Sequence, residues 1–246
     1  MTNNSLRSGE RTNSTGKVVK NRILLGIPDY EYRNVRPYLE FLELPHHFCL
    51  HRPGQKLRFL YFLNRGIASI VVVTRGGRDV EAGVVGCEGF VGAPLIAHIN
   101  RSPLREQMQI AGDGFRVAAH ALQTILAESP ILLQSLTRYA VLLGMQVAQT
   151  AACNRLHEVQ QRLARWLLLA QDRLSSPTVP ITHDFLATML GTDRPSVSLA
   201  AAELQRWKAI GYKRGIVKVL NRKRLERASC ECYEVIHQFD SEFGRR

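Results

Sequence analysis

Nine cations stand between residues 206 and 227, namely Arg206, Lys208, Lys213, Arg214, Lys218, Arg222, Lys223, Arg224 and Arg227, against Glu226 alone. Such a run suits a polyanion, because ammonium and guanidinium groups displace the counterions that phosphates hold. Just upstream lie Thr192, Arg194, Ser196 and Ser198. Arginine can meet guanine O6 and N7 with two parallel hydrogen bonds, and hydroxyls can reach bases or phosphates. Other reactive types do not assemble into a site. His46, His47 and His51 cluster near the start of a stretch of short apolar runs, but the His-x-His with a downstream glutamate that a cupin-like metal enzyme needs is missing. No Gly-x-Ser-x-Gly, phosphate-binding loop or paired carboxylates appear, so a binding protein is expected and the cupin-like metal-binding enzyme is the alternative. Five cysteines without a C-x-x-C pair point to neither a zinc knuckle nor a disulfide framework, and no metal and no cofactor are expected. Cys230 and Cys232 on a helix would aim their sulfurs roughly 200° apart, which disfavours an internal disulfide switch.

Residues at these positions need rigid elements behind them. Leu186 and Leu190 give a first helix from His183 an apolar face, and Ala187 allows a second helix to cross it closely. Gly191 supplies the left-handed turn, Asp193 caps the second helix and Pro195 fits its first turn. Val197, Ala200 and Leu204 return to the shared core, which leaves Arg194, Ser196, Ser198 and Leu199 to face outward, with Thr192 near a phosphate. Then Ile210–Tyr212 and Ile216–Leu220 flank Lys213-Arg214-Gly215, a hairpin whose Lys213 and Arg214 are placed to track phosphates. The pattern is that of a winged helix-turn-helix.

The front of the chain has a different texture. The net charge is +12 over 246 residues, and 45% are hydrophobic. Residues 1–22 read as a polar, disordered tail with no signal-peptide core, and no apolar run of about 18 residues predicts a membrane span, so a cytoplasmic protein without a membrane partner is expected. Asp29 to Leu42 reads as a short helix. From Leu44 to Val117 short apolar runs alternate with Asn64-Arg65-Gly66, Gly76-Gly77 and Gly112-Asp113-Gly114, as in an antiparallel roll, with a hairpin turn at 74–78. His120 to Glu128 forms a helix and Pro130 begins a longer one, along which Leu133, Leu136, Ala140, Leu143 and Val147 step by threes and fours as a homodimer seam. The next amphipathic stripe is Leu156, Val159, Leu163, Trp166, Ala170 and Leu174. The expected fold class is α+β: a tail (1–22), a β-roll sensor domain (23–128), a dimerisation helix (129–154) and a winged helix-turn-helix domain (155–246).

A roll, a seam helix and then "ITHDFLATMLGTDRPSVSLAAAELQRWKAIGYKRGIVKVLNRKRLERASCECY" resemble the Crp/Fnr family of bacterial transcription regulators, over residues 27–240 and most strongly over 156–233. The resemblance implies a homodimer on a palindromic double-stranded DNA site, an effector acting on a cyclic-nucleotide-binding-like front domain, and RNA polymerase as a further partner. Where cyclic-AMP-binding members carry Arg, Glu and a second Arg on the recognition helix, this chain has Arg194, Pro195 and Leu199, so its operator should differ. Lys208 replaces a glycine common in the family at the end of that helix. Lining up the nucleotide pocket puts Gly92-Ala93 and Arg105-Glu106 at its two binding pairs. Ala93 cannot accept a ribose hydroxyl, and Glu106 would repel a phosphate. Cyclic AMP is therefore not the expected effector, and a ligand-free dimerisation scaffold is the other reading of the roll. The tail lacks the cysteines of the iron–sulfur members, and His46, His47, His51 and His98 are read as surface or satisfied histidines, not haem ligands.

Overall fold

A computed structural model of the chain describes residues 10–76 and 79–243. Two short helices, α1 (Arg22–Gly26) and α2 (Asp29–Val35), lead through a single 3-10 turn, Arg36–Tyr38, into β1 (Glu40–Leu44). The helix expected to run to Leu42 ends seven residues early. Pro37 restricts the residue before it, and Leu39 and Leu42 belong to the entry into the sheet. The roll continues with β2 (Cys49–His51), β3 (Phe59–Val73), β4 (Asp79–Val85), β5 (Phe90–Val91) and β6 (Leu104–Ala118). All pairings are antiparallel, in the order β1-β6-β3-β4, with β2 on β6 and β5 on β3. Gly77 and Arg78 of the expected hairpin turn, like residues 1–9 of the expected tail, lie outside the described residues.

Two of the glycine clusters read as strand breaks lie inside strands. β3 and β6 each run through 15 residues, and their register shifts where Asn64-Arg65-Gly66 meets Gly112-Asp113-Gly114. These are bulges that bend two long strands, not turns that end them. A Cβ on Gly112 would sit 2.0 Å from the Arg65 carbonyl oxygen, so only glycine admits this crossing.

The stretch 10–21 also departs from expectation, because it is laid onto the roll. Asparagines bond it there: Asn13 Nδ2 donates to the Leu39 carbonyl at 3.0 Å, and Asn21 Nδ2 to those of Leu63 and Gly89 at 3.1 and 2.7 Å. Asn64 Oδ1 accepts from the Lys20 amide at 2.8 Å. A polar composition resembles disorder until its amides find buried carbonyls to satisfy.

Behind the roll come α3 (Ala119–Ala127), α4 (Pro130–Leu156) and α5 (Val159–Leu174), the last opened by a capping box between Glu158 and Gln161. Leu156 ends α4 and is exposed, so it does not join the α5 stripe. Residues 162–170 of α5 are buried on every side. One face packs on Ile67, Val84 and Ile110 of the roll and the others on the C-terminal helices, in a single apolar cluster that joins the two halves. The remaining elements are β7 (Thr178–Pro180), α6 (His183–Leu190), α7 (Arg194–Arg206), β8 (Ile210–Lys213), β9 (Ile216–Val219), α8 (Arg222–Ala228) and α9 (Cys232–Phe243), with a small sheet in the order β7-β9-β8.

Candidate nucleic-acid interface

Thr182 Oγ1 accepts from the Phe185 amide at 3.3 Å and starts α6. Leu186, Ala187 and Leu190 are buried on α6, as are Val197, Ala200, Ala201 and Leu204 on α7. Gly191 turns the chain between them at φ 58°, ψ 42°, the left-handed conformation that glycine adopts without steric cost. Asp193 Oδ1 accepts from the Ser196 amide at 2.7 Å, and Asp193 Oδ2 accepts from the Ser196 hydroxyl at 3.0 Å. Those bonds hold the Asp193 carboxyl below its usual range.

With that face of α7 committed, its opposite side is open. Arg194 is 66% exposed and touches Asp184 at 3.4 Å, an exposed pair weak enough to be exchanged for another partner. Leu199 is 71% exposed. Ser196 and Ser198 are half-buried, the first engaged with Asp193 and the second hydrogen-bonded to His183 Nδ1 at 3.0 Å, so both currently brace the start of the helix. Thr192 is half-buried, and its amide donates to the Ala187 carbonyl. Exposed Ala202 and Arg206 continue the outward row Pro195–Leu199. A helical period carried past Leu199 reaches both, whereas the cationic run alone points to Arg206 and not to Ala202.

The hairpin β8–β9 pairs Lys213 with Ile216 across a two-residue turn, Arg214 (φ 49°) and Gly215 (φ 77°). Two positive φ angles match the right-handed twist of the flanking strands. β7 pairs with the other side of β9, and the Ile181 amide donates to the Gly215 carbonyl at 2.8 Å. His183 stacks on Tyr212 with ring centroids 4.1 Å apart, tying α6 to this wing. Burial and the Arg194 guanidinium hold the His183 imidazole below its usual pKa. Lys213, Arg214 and Lys218 are exposed. Two of the nine cations serve the fold instead. Arg222 bonds Asp172 at 2.7 Å, Glu226 at 2.8 Å and the Tyr233 hydroxyl, and Arg224 donates to the last carbonyl region of α7 at Trp207.

Lys208 ends α7 at φ 52° with a side chain that this conformation disfavours. Lys208→Gly is expected to raise stability by about 1 kcal/mol, seen as a higher urea midpoint at constant slope. An unchanged or lower midpoint would show that the lysine makes contacts worth more than the strain.

The polar residues expected at the effector site are bonded to other groups of the roll. A Cβ on Gly92 would meet His51, Phe59 and Leu60. Arg105 pairs with Val71 of β3 and donates to Asp79 Oδ2 at 2.5 Å. Glu106 is buried against His51 Nδ1, while His51 Nε2 bonds the Phe59 carbonyl at 2.9 Å, so both ring nitrogens are satisfied. His46 and His47 pack on Phe185 of α6, and among the described residues neither joins a cluster of potential metal ligands.

The seam residues divide as well. Leu136 and Leu143 are buried in the chain's own core, Ala140 and Val147 are half-buried, and Leu133 is exposed. The outward apolar row of α4 is Leu133, Val141, Met145, Ala148 and Ala152. It runs beside the expected one because the roll takes the Leu136–Leu143 face for itself.

Residues 161–228 match the Crp-like helix-turn-helix domain. No protein of curated function matches the sequence. Among solved structures, the regulator CLP of Xanthomonas campestris, responsive to c-di-GMP, is similar with a TM-score of 0.66 at 16% identity, over 79% of this chain and 100% of that one. A putative Crp/Fnr-family regulator of Eubacterium rectale gives 0.65 at 15%, over 82% and 95%. FixK2 of Bradyrhizobium japonicum gives 0.64 at 13%, over 78% and 98%. The chain has the fold of the Crp/Fnr-family transcription regulators and carries a Crp-like helix-turn-helix DNA-binding domain.

Proposed function

We propose that this protein is a homodimeric transcription regulator that reads a two-fold symmetric operator in the cytoplasm, with α7 in the major groove and the wing on the adjoining phosphates. The observation that carries this reading is the division of α7. Its inner row is fully committed to the core, while Arg194 and Leu199 stand exposed beside the cationic wing. Arginine reads guanine and an apolar side chain meets the thymine methyl, so the pair suits a mixed half-site.

Helix α4 supports the dimer. By length and hydropathy alone it could cross a membrane, with a mean hydropathy of 1.3 over its most apolar window, yet one of its faces is packed on the roll. Its outward row then needs a cover, and a second α4 supplies one. Gly144 fits the same picture. Among the described residues nothing lies within 4 Å of where its Cβ would be, so no contact among them requires a residue that costs a helix about 1 kcal/mol. The engagement of Arg105 with Asp79 and of Glu106 with His51 supports regulation without cyclic AMP, and RNA polymerase is the partner through which a bound dimer would act.

Binding-site selection from genomic fragments with purified protein and no added effector tests this. The expected consensus is a palindrome with half-site centres about one helical turn apart, bound less tightly as salt rises. Absence of salt-sensitive affinity for any duplex, or a consensus without symmetry, would overturn the proposal.

A further inference from the structure

Four potential ligands that take no part in the DNA-facing surface meet at the joint between α4 and the C-terminal domain. Cys153 lies in the last turn of α4, and His157 follows that helix in an extended conformation. Cys230 precedes α9 and Cys232 opens it, so the C-x-C pair is not held on one helix and its sulfurs are free to converge. One ligand atom from each of the four residues lies within 4.8 Å of all the others. Cys153 Sγ is 3.5 Å from Cys230 Sγ, and Cys232 Sγ is 3.6 Å from His157 Nδ1. Zinc bonds of about 2.3 Å to sulfur and 2.0 Å to nitrogen, arranged tetrahedrally, separate their ligand atoms by about 3.5–3.8 Å. The group is therefore sized for one ion and too tight for a polynuclear iron–sulfur core.

We propose that Cys153, His157, Cys230 and Cys232 form a closed tetrahedral site for a single zinc ion, which fastens the end of α4 to the start of α9. The surroundings are those of a ligand set. His157 directs Nδ1 at the thiols and places Nε2 3.2 Å from Glu231 Oε1, the carboxylate–histidine arrangement that fixes a ligating imidazole. Gln149 Nε2 donates to Cys232 Sγ at 3.1 Å, a bond suited to a metal-bound thiolate. All three cysteines are buried, which leaves no open coordination position of the kind a catalytic zinc keeps. Charge agrees too. Zinc with three thiolates carries one net negative charge, and the buried guanidiniums of Arg162 and Arg165 interact electrostatically with Cys153. Their Nε atoms are buried without a hydrogen-bond partner. Next to three neutral thiols these cations would be poorly compensated, whereas an anionic centre offsets them. His157 is the only residue between α4 and the Glu158 cap of α5, so the ion would set the angle at which the C-terminal domain leaves the long helix.

The test uses full-length protein purified under reducing conditions without a histidine tag. Elemental analysis is expected to find about one zinc per chain, and cobalt exchanged into the site should show the thiolate charge-transfer and tetrahedral ligand-field bands of a Cys3His centre. Cys153→Ser and Cys230→Ser should lose the ion. Should either fail to fold, Glu231→Gln, altered only at an exposed position next to the ligands, is expected to bind zinc 10–100-fold more weakly against a chromophoric chelator. Protein that is metal-free as purified, neither taking up zinc nor changing its Tm on adding zinc or chelator, would overturn the proposal. So would copper or iron in place of zinc, or a Cys153–Cys230 disulfide in metal-free protein.

Discussion

Arg194→Ala is expected to weaken binding to the selected operator by about 1–3 kcal/mol per half-site, hence about 2–6 kcal/mol for a dimer, and to barely change binding to random DNA. The guanidinium stands at the first residue of α7, on a helix whose start is fixed by Asp193 and whose inner face is locked by Val197 and Leu204. Its partner in the free protein, Asp184, is itself 70% exposed, so releasing it costs little. Lys213→Ala should behave in the opposite way. It sits at the wing and carries charge without base-edge geometry, so its loss should weaken cognate and random duplexes alike and reduce the salt slope by about two for a dimer. The measurement is a titration of both variants against both duplexes at several salt concentrations. If each variant loses the same factor on both, the roles given to the helix and the wing are wrong.

Part of this was legible in the sequence because the constraints are local. Gly191, Asp193 and Pro195 each answer a demand made by residues within one turn, and the same holds for Arg214-Gly215 between two short apolar runs. Features that depend on distant partners were not legible. Gly112 looks like a turn until Arg65, 47 residues away, occupies the space its side chain would need. Asn13 and Asn21 look like a solvated tail until the roll offers them carbonyls. The seam of α4 has two apolar rows one residue apart, and only the docked roll decides which of them remains outside. The four potential metal ligands come from segments 77 residues apart and make no linear motif, so counting C-x-x-C pairs could not find them.

Glu81 is the strongest case of chemistry created by docking, and it carries the other large prediction. It sits in the strand stretch Asp79-Val80-Glu81 and is buried beneath Trp166 of α5. Trp166 Nε1 donates to Glu81 Oε1 at 2.8 Å, and Ser69 Oγ lies 2.5 Å from Glu81 Oε2. Burial pushes the carboxyl up to about 7, with the hydrogen bonds from Ser69 and Trp166 and the charges of Arg165 and Arg173 opposing the shift. Ser69 also faces Gln109 Oε1, and one hydroxyl proton cannot serve two acceptors. A protonated Glu81 donates to Ser69, which then donates to Gln109; a Gln109 amide turned to present its unpartnered Nε2 relieves the same conflict. The folded protein thus holds this proton more tightly than the unfolded chain does, whose carboxyl titrates near 4.5. Its contribution to stability is complete below pH 4.5 and declines as the pH rises through about 7, the reverse of a salt-bridged carboxylate. Glu81→Gln reproduces the neutral acid: its oxygen accepts from Trp166 and its amide donates to Ser69. The variant should match the parent near pH 4 and exceed it at pH 8 by on the order of 3 kcal/mol. Urea midpoints across that range decide the matter, because a variant that keeps the parent's pH dependence would place the titrating group elsewhere in the molecule.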